Sequence, residues 1–97
     1  MADLRFEWDP QKAAANLAKH GVSFHEAESV FSDEAALLLD DPEHSNAEDR
    51  FVLIGLSVKL RVLIVVHCYR ESEDLIRLVS ARKADRLEQR QYLTRNR

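Results

Sequence analysis

Apolar and polar positions alternate over Leu4-Arg5-Phe6-Glu7-Trp8, which predicts a short first strand. Asp9-Pro10 then predicts a helix start, with Asp as N-cap and Pro at the first helical position, where its missing N–H costs nothing. The Ala-rich stretch Gln11–Lys19 carries that helix to His20-Gly21, where Gly suits the left-handed position past the end. Ser23-Phe24-His25-Glu26 reads as a capping box, and Val22 is placed to staple onto Ala27. The second helix sets Phe24, Ala27, Val30 and Phe31 on one face and fades by Ser32-Asp33. Two helices across a Gly turn suggest a DNA-reading motif. Against it, the second helix offers His25, Glu26, Glu28 and Ser29, a poor surface for phosphates.

Beyond Asp33 the period changes from helical to alternating. Ala35–Asp40 predicts a short strand, and Asp41-Pro42-Glu43-His44-Ser45-Asn46 a polar turn. Long β-branched runs follow at Arg50–Ser57 and Arg61–Arg70, and Leu75–Ala81 comes after Glu71-Ser72-Glu73-Asp74; the three read as a meander. A last helix is expected from Arg82 to about Thr94, with Ala84, Leu87, Glu88, Gln91 and Tyr92 on one side. In this reading Arg82 and Lys83 open a helix, where cations oppose its dipole, so they are candidates for holding an anion. The order β-α-α-β-β-β-β-α is that of a single α+β domain, residues 1–97, with two N-terminal helices and a C-terminal helix on an antiparallel sheet.

A two-residue loop at Val58-Lys59 and a four-residue loop at Glu71–Asp74 set an expected register. Arg50 then falls opposite His67, Cys68 opposite Arg77, and Tyr69 opposite Ile76. One face gathers Phe51, Leu53, Val62, Ile64, Val66, Leu75 and Val79, with Arg70 and Arg77 near its end. The other gathers Val52, Ile54, Leu63, Val65 and Leu78, with Arg50, His67, Tyr69, Ser80 and Arg82 toward its edges. On this register Arg77 and Arg82 point to opposite faces. Arginines at the margin of an apolar sheet suit an anionic ligand. The alternative is that each pairs with an acid from the N-terminal half.

Charge adds to this picture. The net of −3 over 97 residues argues mildly against a nucleic-acid binder. The average conceals −9 over residues 1–49 and +6 over residues 50–97. One surface is then basic and another acidic, unless the halves neutralise each other across the fold. No apolar run reaches the ~18 residues of a membrane span, the first residues do not form a signal peptide, and a lone Cys68 excludes an internal disulfide, so a cytoplasmic location is expected.

The histidines (His20, His25, His44, His67) lack metal-ligand spacing, so neither a metal nor another cofactor is expected. There is no Gly-rich phosphate loop and no nucleophile elbow, and Cys68 suits a strand interior better than a nucleophile. Asp41-Pro42-Glu43-His44 with Glu48 is the local His/carboxylate cluster; it could supply acid–base chemistry, but a capped polar turn is the favoured reading. What remains is a set of arginines, a lysine and a few His/Tyr groups. Such a set can promote cleavage of RNA by its own 2′-hydroxyl, where guanidinium groups stabilise the charged phosphorane.

Several blocks, in order, resemble one family. They are Phe6-Glu7-Trp8-Asp9-Pro10-x-Lys12, Asn16-Leu17-x-Lys19-His20-Gly21-Val22-Ser23-Phe24, Val30-Phe31-x-Asp33, Asp41 to His44-Ser45, Glu48-x-Arg50 and Ile54-Gly55-x-Ser57. The last is Ile76-Arg77-x-Val79-Ser80-Ala81-Arg82-Lys83-Ala84, with Glu88 and Tyr92. Together they are similar to the BrnT toxin family over nearly the whole chain. The resemblance implies a type II toxin of RelE-like fold, a ribonuclease that halts translation. It also implies a BrnA-type ribbon-helix-helix antitoxin, with operator DNA contacted only through that antitoxin. It points to Arg50, Arg70, Arg77, Arg82 and Lys83 as the catalytic set, and to Lys19, His20 and Tyr92 as further RNA contacts. Where the family commonly has Gly-Arg after the hairpin turn, this chain has Leu60-Arg61. The alternative function is a non-enzymatic module that binds its antitoxin as a corepressor.

Overall fold

The structure of the chain, a computed structural model, describes residues 3–41, 50–70 and 74–95. The elements are β1 (Arg5–Glu7), α1 (Pro10–His20), α2 (Phe24–Ser29), a single 3-10 turn (Val30–Ser32), β2 (Leu37–Asp40), β3 (Phe51–Leu56), β4 (Val62–Arg70), β5 (Leu75–Lys83) and α3 (Arg86–Leu93). Beyond Asp41 the polar turn, with Glu43, His44 and Glu48 of the cluster, lies outside the described residues.

The N-terminal helices start and stop as the local chemistry dictates. The Asp9 side chain accepts from the Gln11 N–H at 2.8 Å, and Gly21, at φ 69°, closes α1 by donating to the Leu17 carbonyl. Ser23 caps α2 by accepting from the Glu26 N–H at 3.0 Å. The expected return bond from Glu26 gives way to a stronger partner. Its carboxylate turns inward to Arg61 and Ser57 and is buried rather than displayed on the helix surface.

The strands form one sheet in the order β1-β5-β4-β3-β2. β2 to β5 are antiparallel neighbours, but β1 pairs with β5 in parallel, so the sheet is mixed rather than antiparallel throughout. Arg70 faces Leu75, Tyr69 faces Ile76 and Cys68 faces Arg77, which is the expected register at that hairpin.

The β3–β4 hairpin departs by one residue. Leu56 pairs with Val62, Ser57 donates to the Arg61 carbonyl at 2.8 Å, and the loop is Val58-Lys59-Leu60. Leu60 occupies the left-handed region at φ 62°, the position a three-residue loop normally gives to glycine. A one-residue slip moves a whole strand's side chains to the other face. Leu53 therefore packs with Leu63 and Val65 on one side, while Val52 and Ile54 pack with Val62 and Ile64 on the other. Phe51, not Arg50, stands opposite His67.

β5 departs twice. It continues through Arg82 and Lys83, so neither residue begins a helix; the start signal is Asp85, whose capping box with Glu88 opens α3. The strand also carries a bulge, because Val66 faces Ser80 while His67 faces Leu78. Beyond Val79 the side chains of β5 consequently change face.

The larger core lies on one side of the sheet. Val22, Phe24, Ala27 and Val30 pack there against Leu53, Leu63, Val65, Ile76, Leu78 and Ala81. Asn16 ties α1 to β5 from within: its Nδ2 donates to the Val22 and Ala81 carbonyls at 2.9 and 2.8 Å, and its Oδ1 accepts from the Ala81 N–H at 3.0 Å. Gly55 admits the 3-10 turn to the β3 backbone, since a Cβ there would lie 2.8 Å from Val30 Cγ1. On the opposite side a smaller cluster of Ile54, Ile64, Ala84 and Tyr92 seats α3.

Candidate functional site

The bulge in β5 decides where the arginines go. Arg77 pairs with Cys68 and Arg82 with Ile64, and those partners stand four apart on β4, so they share a face. Arg77 and Arg82 therefore also share it, contrary to simple alternation, with roughly 13 Å of strand between them. Arg70, two residues beyond Cys68, lies on the same side. This is the face on which α3 packs, and its α3-free part is cationic.

Each of these arginines meets a carboxylate. Glu7 on β1 accepts from Arg77 Nη1 at 2.9 Å and lies 3.7 Å from Arg70 Nε. One N-terminal acid thus serves two guanidinium groups. Arg82 is gripped by both Glu88 oxygens, each at 2.8 Å. That fork holds the Glu88 carboxyl below its ordinary range, chiefly through the bonds from Arg82. The Glu88 Oε1 also accepts from the Asp85 N–H at 2.9 Å, so the helix start and the arginine share one anchor. The side chains of Arg70, Arg77 and Arg82 remain 47%, 34% and 42% exposed, which leaves each guanidinium accessible.

Other candidates are placed differently. Lys83 pairs with Leu63, and therefore projects to the side opposite Arg82. Arg50 lies half-buried just ahead of β3, its carbonyl accepting from the Asp41 N–H at 2.9 Å. Lys19 and His20 close α1 and, with Lys12, Asn16, Val79 and Ser80, line a shallow cleft of about 220 Å³. That cleft lies along the part of β5 left unpaired by the short β1, which reaches only as far as Arg77.

Tyr92, expected to contact RNA, is instead a core residue. Its hydroxyl donates to Asp33 Oδ2 at 2.6 Å, its ring packs in the α3 cluster, and the Arg95 guanidinium covers it at 3.8 Å. Burial and the neighbouring Asp33 push its hydroxyl pKa up. Asp33 also accepts from the Ala35 and Leu56 N–H groups at 3.0 and 2.8 Å. Burial works against its charge, and these bonds more than offset it, so the carboxyl stays below its usual range.

Three features were not singled out from the sequence. Glu7 is the shared arginine partner. Glu26, 3% exposed, receives Arg61 Nε at 2.9 Å and the Ser57 hydroxyl at 2.7 Å, while Arg61 Nη2 reaches the Gly21 carbonyl at 3.1 Å. The bond from Arg61 holds the Glu26 carboxyl below its ordinary range against burial. The third is an aromatic box around His67, formed by Phe31, Phe51 and Tyr69 with ring centroids 4.8, 6.1 and 5.5 Å away. His67 is wholly buried and burial lowers its pKa, so its ring is neutral. The signal for the first two was available: an acid in a strand, and a capping-box Glu beside an apolar turn. Their partners lie 70 and 35 residues away.

Among the described residues no group of His, Cys, Asp or Glu is arranged to hold a metal, and no helix is long and apolar enough to cross a membrane. The fold is similar to the 1.1 Å crystal structure of the Brucella abortus ribonuclease toxin BrnT. The TM-score is 0.61 at 24% identity, covering 86% of this chain and 99% of that one. No curated protein matched the sequence. The family model for the ribonuclease toxin BrnT of type II toxin-antitoxin systems matches residues 8–88, a span that contains Glu7's partners, the β5 bulge and the Arg82–Glu88 pair. The chain belongs to the BrnT family of ribonuclease toxins of type II toxin-antitoxin systems.

Proposed function

We propose that this chain is a metal-independent endoribonuclease of RelE-like fold that cleaves RNA on the α3 side of the sheet and so inhibits translation. The observation that carries the proposal is the β5 bulge, which gathers Arg70, Arg77 and Arg82 on one accessible face. There the phosphate group of an RNA meets guanidinium groups held in place by Glu7 and Glu88. RNA supplies its own nucleophile: the 2′-hydroxyl oxygen bonds to phosphorus as the P–O5′ bond breaks, leaving a 2′,3′-cyclic phosphate. The proton lost by the 2′-hydroxyl is balanced by the one the departing 5′-oxygen takes up from solvent. The arginines align the phosphate and neutralise the charge that grows on the phosphorane, which is where preorganised cations contribute most. Glu7 and Glu88 act as positioning residues that keep long side chains from wandering.

The cleft of Lys12, Lys19 and His20 extends this footprint around the unpaired stretch of β5, where it meets the flanking backbone of the RNA. Lys83 projects from the opposite side of the sheet and contributes charge to the approach rather than to the reacting phosphate, while Arg50, one residue ahead of Phe51, adds a cation at the start of β3. The partner is a BrnA-type ribbon-helix-helix antitoxin, through which the complex reaches operator DNA in the cytoplasm.

The test is incubation of the purified chain with RNA in the presence of EDTA. Cleavage that persists there and disappears in the Arg77→Ala/Arg82→Ala variant is expected. Activity that needs an added divalent ion removes the metal-independent mechanism, and an inert wild-type chain that still binds its antitoxin favours the corepressor reading.

A further inference from the structure

The side of the sheet away from the arginines carries a feature the proposed cleavage does not use. A groove of about 510 Å³ crosses four strands, lined by Ile76 of β5, Tyr69 of β4, Phe51 of β3 and Leu38 of β2, with Leu4 just before β1. Phe31 of the 3-10 turn lines it too, as does Asp74. Its floor is aromatic: Phe51 and Tyr69 contact each other at 5.2 Å between centroids, and both pack on buried His67. Its two rims are apolar yet open to solvent, with Leu4 41% and Leu38 52% exposed. An apolar and aromatic concavity of this kind can receive the apolar side chains of a partner.

Charge selects the occupant. Among the described residues that line the groove, the charged one is Asp74. Asp40, exposed at the end of β2, pairs directly with Phe51 and so stands on the same face. The arginine set of Arg70, Arg77 and Arg82 lies on the opposite face. RNA would bring phosphates to an acidic rim, whereas a protein segment with aliphatic or aromatic anchors and flanking Lys or Arg fits both the floor and the rim. We propose that this groove seats the antitoxin, through an apolar segment flanked by basic residues. This rests on the toxin-antitoxin reading. It implies that neutralisation is anchored on the face opposite the arginines.

The test uses the full chain purified with and without the antitoxin of its type II system. Calorimetric titration of that protein is compared among wild type, Leu4→Lys/Leu38→Lys in the groove, and Leu87→Lys on the exposed surface of α3. Both groove residues are surface residues, so circular dichroism and thermal melting should match wild type. The expected result is an affinity loss of at least about 30-fold for the groove variant, the scale of a lost interface anchor, with the α3 variant unchanged. RNA cleavage by the groove variant should equal wild type. Unchanged antitoxin affinity in the groove variant overturns the proposal. So does lost RNA cleavage with antitoxin affinity intact, which would make a nucleobase the occupant. If no variant cleaves RNA and the groove variant alone loses the antitoxin, the docking site stands and the enzymatic reading falls.

Discussion

The two faces of the sheet are built on the same strands but solve different problems. On the α1/α2 side, burial is deep and polar groups are consumed internally: Asn16 and Glu26 are buried with their hydrogen bonds filled by backbone, Arg61 and Ser57. On the α3 side, the core is a small cluster, and the charged groups stay at the surface in pairs that solvent reaches. Exposed ion pairs add little stability, about 0–1 kcal/mol each. Arg77 and Arg82 are thus poorly explained as structural supports, while Glu26–Arg61 is well explained as one. Pairing with an acid does not by itself make an arginine structural; the burial of the acid is the better guide.

The comparison is broken most sharply by removing both arginines. Arg77→Ala/Arg82→Ala should reduce RNA cleavage by about 10³-fold, on the scale of lost oxyanion stabilisation, while leaving antitoxin affinity intact. Cleavage near the wild-type rate would show that the cationic face is not the reacting one. Glu26→Ala should act in the opposite sense. It leaves Arg61 without its buried partner, so denaturant unfolding should report a loss of about 3 kcal/mol, with kcat per folded molecule unchanged. Gly55→Ala forces a methyl to within 2.8 Å of Val30 Cγ1 and 2.9 Å of Ala36 Cβ, and should cost about 2 kcal/mol of overpacking in the same measurement. A mild effect there would mean the 3-10 turn yields easily.

The remaining test is of pH. His67 is held neutral by burial, so its folded-state pKa lies below the ordinary 6.5. The unfolded chain then binds the proton more readily. Stability is complete above about 6.5 and declines as pH falls through that value toward the folded one. Melting temperature should therefore drop between about pH 7.5 and 5.5, and His67→Phe should flatten that drop. An equal acid sensitivity in the variant would place its origin in other groups.

Much of the chain was legible from its sequence. The starts of α1 and α2, the β4–β5 pairing and the meander of the last three strands all follow from caps, turns and alternation that act within a few residues, whereas the parallel pairing of β1 with β5 does not. The arginine set was also legible as residue types. Their arrangement was not. A two-residue loop at Val58-Lys59 was a reasonable reading because Leu60 is not the residue a left-handed position favours; its cost is about 1 kcal/mol, less than the sheet contacts that impose it. The β5 bulge left no mark either, since Val79 is as good a strand residue as its neighbours. Asp85 and Glu88 did offer a helix start, hidden by the two cations before it.

Local chemistry, then, determined which segments become helices and strands, and which carry positive charge. Capping and side-chain alternation depend on neighbours along the chain, so a single sequence contains them. Which arginines stand together was decided by the tertiary structure. One slipped hairpin and one bulged strand each reverse the facing of several residues, and both are set by packing between segments far apart in the chain. Arg77 and Arg82, expected on opposite sides, share the α3 face, and the groove of Phe31, Phe51 and Tyr69 opens on the other.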